Sequence, residues 1–190
     1  MTLRRVEALS GPAGVLTDAV CEALAREAGA RGLDARALDV RVGEQRVVVF
    51  APRADAGSES GGRVTEGRWP EPLGLVVEVG GAGWRVEPDV YAMRPLFWSE
   101  TGSGGVIVST RAGWVAGLTG ATLSRDGVLE RLLVSFSLDD RSVFEGVRRV
   151  RSGEWLEGDG RAWRVGSRAV ESEWIVRRRR DVTGEADPRR

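Results

Sequence analysis

The spacing of apolar and polar positions predicts short strands and three helices. In residues 16–32, Leu16, Val20, Cys21 and Leu24 recur at helical spacing, with Thr17 placed to cap the start and Gly29 or Gly32 to end it. Cys21 lies on the apolar stripe and reads as a small buried hydrophobe. The β-branched run "QRVVVFAP" (45–52) predicts a strand closed by Pro52, and the polar, Gly-rich stretch 54–72 predicts a loop. Two β-rich runs around Gly80, Gly81 and Gly83 predict a hairpin over 73–89. A second hairpin joins "RPLFW" to "GGVIVST". A short helix, "RAGWVAGL", follows, and then a longer one, "SRDGVLERLLVSF". In the longer helix Ser124 is the N-cap, and Val128, Leu129, Leu132 and Leu133 form one apolar face. A last hairpin carries Trp155 and Trp163 on its strands and Gly158, Asp159 and Gly160 at its tip. This order predicts an α+β fold, with strands clustered in the middle of the chain and helices before and after them.

Composition narrows the chemistry. The 190 residues are 42% hydrophobic, enough for a real core, and the formal net charge is zero. A neutral chain lacks the basic face that nucleic acid requires, so no nucleic-acid partner is expected. There is no His, no Asn and no Lys, and there is a single Cys. Those absences exclude ordinary zinc and transition-metal sites, Ser-His-Asp and Cys-His catalysis, Walker-type phosphate loops and Schiff-base chemistry. One Cys makes no internal disulfide, which fits a reducing cytoplasm. No apolar run matches a signal peptide or the ~20 residues of a membrane span, so no membrane partner is expected. Within the loop, "SGGRV" resembles the Ser-Gly-Gly-x-Asp-Ser pyrophosphate loop of ATP pyrophosphatases. Val64 stands where the Asp belongs, so the segment reads as a plain loop. Gly102, Gly104 and Gly105 read as a turn, because no helix start follows in the frame a phosphate cradle needs.

Asp89, Val90, Tyr91, Ala92, Met93, Arg94, Pro95, Leu96, Phe97 and Trp98 precede an apolar run ending in Ser109 and Thr110. Downstream, Ser142, Phe144, Gly146, Val147, Val150 and Gly153 stand at fixed offsets. This pair of motifs, with a helix between them, resembles the N-terminal domain of asparagine synthetases. That family carries Lys/Arg-Pro-Leu-Tyr-Tyr, a strand ending near Ser, and then Thr-x-Phe-x-Gly-Ile-x-x-Leu-x-Pro-Gly. The match covers roughly residues 73–175; the first seventy residues match poorly. It implies a four-layer αββα sandwich of the N-terminal-nucleophile type, with two mainly antiparallel sheets flanked by helices. Residues 1–175 would be a degenerate glutamine amidotransferase-like domain. Residues 176–190, with Arg177 to Arg180, would be a charged tail or linker, ending about where the family's ligase domain begins.

In the family, an N-terminal Cys hydrolyses glutamine with its own amino group as base. Here Thr2 takes that place, Arg4 and Arg5 follow it, and no Asn is present for the oxyanion hole. Loss of one oxyanion donor costs ~10²–10³ in rate. The Arg-Gly-Pro-Asp clamp for the glutamine carboxylate is reduced to "APRAD" at 51–55. No catalytic residue is therefore assigned, Thr2 serving only under an alternative. Asp89, Arg94, Pro95, Leu96, Phe97, Phe144, Gly146 and Gly153 are expected to be scaffold. The expected role is a non-catalytic domain or subunit of an asparagine-synthetase-like, ATP-dependent amide-forming ligase, as in relatives such as β-lactam synthetases and lasso-peptide cyclases. ATP and magnesium would belong to the partner ligase, with no cofactor in this domain. An active N-terminal-Thr amidotransferase and a stand-alone peptide- or protein-binding module are the alternatives. Leu75, Val77, Phe97, Ile107 and Phe144 are expected to be buried. Some of the seven tryptophans are expected to lie exposed in an apolar docking patch.

Overall fold

In the computed structural model, residues 7–33, 35–51, 63–65, 75–80, 83–88, 94–137 and 139–168 are described. Their strands form two antiparallel sheets. The first holds β1 (Glu7–Pro12), β2 (Ala35–Val42), β3 (Gln45–Ala51), β7 (Phe97–Glu100), β8 (Val106–Ser109) and β9 (Arg148–Arg149), in the order β2-β3-β1-β8-β7-β9. The second holds β4 (Arg63–Thr65), β5 (Val76–Gly80), β6 (Gly83–Glu87), β10 (Glu154–Gly158) and β11 (Trp163–Ser167), in the order β11-β10-β6-β5-β4. Both predicted hairpins in the middle of the chain, and the one at 154–167, are present in register.

Period-2 alternation explains the layering. Along β3, Val47 and Val49 face the second sheet, while Val48 and Phe50 face the helices. Along β8, Val106 and Val108 face inward and Ile107 outward. One apolar cluster thus fills the space between the sheets, with Leu75, Val77, Trp84, Val86, Leu96 and Leu156 at its centre. A second cluster lies under α1 (Asp18–Gly29) and α2 (Ala112–Thr119), where Leu9, Leu16, Cys21, Phe50, Ile107 and Trp114 meet. Helices therefore cover the outer face of the six-stranded sheet. Among the described residues no helix covers the outer face of the five-stranded sheet, where Arg85, Glu87, Trp155 and Arg168 lie side by side.

Several expectations need correction. Strands are not confined to the middle of the chain. Glu7–Pro12 is a central strand, supported by long-range pairing, and Ala35–Val42 is an edge strand that forms a tight hairpin with β3 across Gly43 and Glu44. Part of the predicted Gly-rich loop, Arg63–Thr65, is a strand paired to Val76–Glu78. Leu75, Val77 and Ile107 are buried as expected, but Phe97 and Phe144 are only partly buried at the margin of the helix-side cluster. Trp84 and Trp114 are core, and Trp98, Trp155 and Trp163 are half-buried. Trp69 and Trp174 lie outside the described residues, as does the tail 176–190.

Trp114 ties the two helices together. Its ring meets Phe50 edge-on at 5.8 Å, and its Nε1 donates to the Glu27 carboxylate at 2.8 Å. Arg31 donates to the other Glu27 oxygen at 2.8 Å. The Arg31 hydrogen bond, with the Trp114 donor assisting against partial burial, holds the Glu27 carboxyl below its ordinary value. The unfolded chain then binds more protons than the native one as pH falls through about 4.5. Stability contributed by Glu27 is present above that pH and lost below it. Between about pH 5 and 3, the unfolding midpoint of wild type should fall more steeply than that of Glu27→Gln. Parallel pH profiles would show that the bridge contributes nothing.

Candidate functional site

The two motifs converge on one edge of the six-stranded sheet. Pro95 enters the strand and Leu96, fully buried, points between the sheets. Phe97 turns to the helix side, and Trp98 turns back to meet Trp163 edge-on at 5.3 Å. The downstream motif lies directly alongside. Phe97 pairs with Arg149 and Trp98 with Arg148, and the Val150 amide donates to the Leu96 carbonyl at 2.7 Å. Arg148 also stacks over Trp98 at 5.6 Å. Val147 and Val150 are buried on opposite sides of the sheet. Gly146 and Gly153 have φ of 69° and 78°, left-handed values that an L side chain strains to adopt, which accounts for glycine at both motif positions. Arg94 and Pro95 are half-exposed. Asp89 and Thr2 lie outside the described residues.

A cavity of about 120 Å³ opens at the hairpin end of the sandwich, between Gln45, Trp84, Ser103, Gly104, Arg161 and Trp163. Two of its polar wall groups are already engaged. Trp163 Nε1 donates to the Gly104 carbonyl at 3.1 Å, and the Gln45 amide donates to Ser10 Oγ at 2.9 Å and to the Val106 carbonyl at 3.0 Å. Ligand pockets usually enclose ~300–1,000 Å³, so this space suits a few waters rather than a substrate.

The strongest electrostatic feature is structural and was not legible in the sequence. The Arg46 side chain, 6% exposed, donates to both oxygens of Asp39 at 2.8 Å, to Asp18 at 2.7 Å and to the Leu16 carbonyl at 3.0 Å. The Asp39 bonds outweigh burial and raise its already high pKa further. One guanidinium fork thereby joins β3, β2 and the start of α1. Cys21 is fully buried nearby, its thiol 3.8 Å from the same Leu16 carbonyl, which agrees with its reading as a core residue. Among the described residues, no three His, Cys, Asp or Glu side chains stand close enough to share a metal ion.

The third helix, α3 (Arg125–Val134), starts as predicted: the Gly127 amide donates to Ser124 Oγ at 3.3 Å. Its apolar face is not buried, however. Only Gly127 is, seated so closely on the Ser142 carbonyl that a Cβ there would collide with it. Leu132 and Leu133 are 75% and 82% exposed. Among the described residues the large exposed apolar side chains include these leucines and no tryptophan; Trp69 and Trp174 lie outside the described residues. No protein-family model matches the chain, and no curated protein matches it either.

Proposed function

We propose that this domain is a non-catalytic amidotransferase-like scaffold that supports an asparagine-synthetase-like, ATP-dependent amide-forming ligase, held in the same chain or in a separate protein. The observation that carries this reading is the pairing of the two motifs. Leu96 and Phe97 lie against residues 149–150 within an antiparallel sheet that stacks on a second one and is covered by helices on its far side. Residues widely separated in the chain thus share one structural unit, as a retained scaffold requires. The finer four-layer αββα arrangement of the N-terminal-nucleophile type belongs to the same proposal. ATP and magnesium would be bound by the ligase, which would adenylate a carboxylate for attack by an amine.

The described residues that carry the motif are apolar, backbone-paired or left-handed glycine, which suits packing rather than bond making. With Asn absent from the chain and Thr2 in place of the family's Cys, glutamine hydrolysis is expected to stay at background. Purified protein incubated with glutamine should release no glutamate, and a neighbouring-gene ligase bearing Ser-Gly-Gly-x-Asp-Ser should co-purify with it. Glutamate release that disappears in Thr2→Ala would replace this reading with an active amidotransferase. Failure of every such ligase to co-purify would remove the partner.

A further inference from the structure

Arg141 faces Arg148 of β9 across an isolated bridge at the edge of the six-stranded sheet. The Ser142 amide donates to the Val147 carbonyl at 3.2 Å, and the Arg149 amide to the Asp140 carbonyl at 2.5 Å. These bonds flank the bridge, so the two arginines form a non-hydrogen-bonded pair. At that position Cα atoms stand ~4.5 Å apart and side chains are closest. Like charges set directly opposite each other repel. Both side chains are exposed, and among the described residues neither makes an ion pair. Asp139 and Asp140, just before Arg141, are held by Arg151 instead. Elsewhere the fold sets acids against its arginines. On the five-stranded sheet Arg85 lies opposite Glu78 and Glu157, and Arg164 opposite Glu157. Where Arg41 faces Arg46, Asp39 and Asp18 neutralise Arg46.

We propose that Arg141 and Arg148 together bind a phosphate dianion, either free or as the end group of a small phosphate ester. Residues paired across strands project on the same face, so Arg141, Arg148 and Trp98 form one row. The Arg148 guanidinium lies over the Trp98 ring at 5.6 Å, and Trp98 is itself braced edge-on by Trp163 at 5.3 Å. Stacking occupies the flat face of the guanidinium and leaves its N–H edge free to donate in plane. The row thus presents two forks, one of them fixed, with no carboxylate bound to either. A guanidinium fork matches two oxygens of a tetrahedral oxyanion. A dianion cancels both charges, whereas a monocarboxylate leaves one unanswered. Arginine does not lose its proton in proteins, so the pair has no internal way to relieve its repulsion. The site rests on this register alone and does not depend on the ligase reading.

The test follows thermal melting of the full chain as phosphate is raised over about 0.1–10 mM, with chloride holding ionic strength near 0.1 M. Wild type should melt progressively higher with phosphate or sulfate, and acetate should have no such effect. Arg141→Gln and Arg148→Gln should each weaken the response by about tenfold or more, the loss of one charged hydrogen-bonding group. Arg141→Lys, which keeps the charge without the fork, should fall between. Without phosphate, Arg141→Gln should melt no lower than wild type, because it removes the repulsion. Glycerol phosphate separates the two sources. A response equal to that of inorganic phosphate makes ester end groups the ligand, and a response to inorganic phosphate alone makes it the free ion; both support the site. A wild type that responds to phosphate no more than to chloride overturns the proposal. So does a response that either glutamine variant retains in full.

Discussion

Arg46→Met is expected to lower stability by about 3 kcal/mol, because it strands the Asp39 carboxylate and the Leu16 carbonyl beside an apolar side chain. Burial is what makes the loss large. The guanidinium is 6% exposed, whereas the Asp39 side chain, 25% exposed on edge strand β2, regains some water when its partner is removed, which keeps the loss at the lower end of the range for a broken buried pair. The Asp18 arm differs: that carboxylate is 76% exposed, and Asp18→Asn should cost less than about 1 kcal/mol. Arg46→Lys should fall between, since a point charge cannot span both Asp39 oxygens and Asp18 together. Removing both charges in Arg46→Met/Asp39→Leu should recover much of the loss, as the carboxylate is no longer left unpaired. Urea midpoints of the four variants measure this. A loss below about 0.5 kcal/mol for Arg46→Met, the range of ordinary surface changes, would show that the network adds nothing to stability.

Leu96→Ala should destabilise the fold by about 2–5 kcal/mol, the usual span for truncating a fully buried leucine. For a chain of this length that corresponds to a melting temperature lower by roughly 10 °C. The side chain has no exposed surface and sits between the two sheets, next to strands that pair on both sides and resist collapse. Arg94→Ala, at a half-exposed site two residues earlier, should change stability far less. The contrast separates a scaffold motif from a binding one. If Leu96→Ala were as mild as Arg94→Ala, packing would not be the reason for a leucine here.

Local signals explain the caps and three of the hairpins, whereas the tight hairpin of 35–42 with 45–51 across Gly43 and Glu44 went unread. Thr17 and Ser124 cap their helices because a side-chain oxygen reaches an amide three residues on. The hairpins at 76–87, 97–109 and 154–167 follow from β-rich runs broken by glycine. Left-handed glycines at 146 and 153 were visible as motif positions, though only the structure gave their φ. The candidate site was half legible: its residues could be named, but Phe97 and Phe144 were placed too deep, and Asp89 and Thr2 lie outside the described residues. The Arg46 network left no signal, because Asp18, Asp39 and Arg46 come from three elements and look like ordinary surface charges.

By itself the sequence determined where helices start, where hairpins turn, which residues are apolar enough to form a core, and which side-chain chemistries are unavailable to the chain. These depend on contacts within a few residues or on composition alone. The tertiary structure decided the rest. "EALSGP" has no strand signature, yet it lies between β3 and β8, where the close packing of Leu16 and Ile107 leaves little room beyond Gly11. Val64 joins a strand because Val77 lies opposite it. The leucine stripe of α3 has the period of a buried helix, but period tells only that the apolar residues share a face. Gly127, seated on residues 142–143, decides that this face points outward.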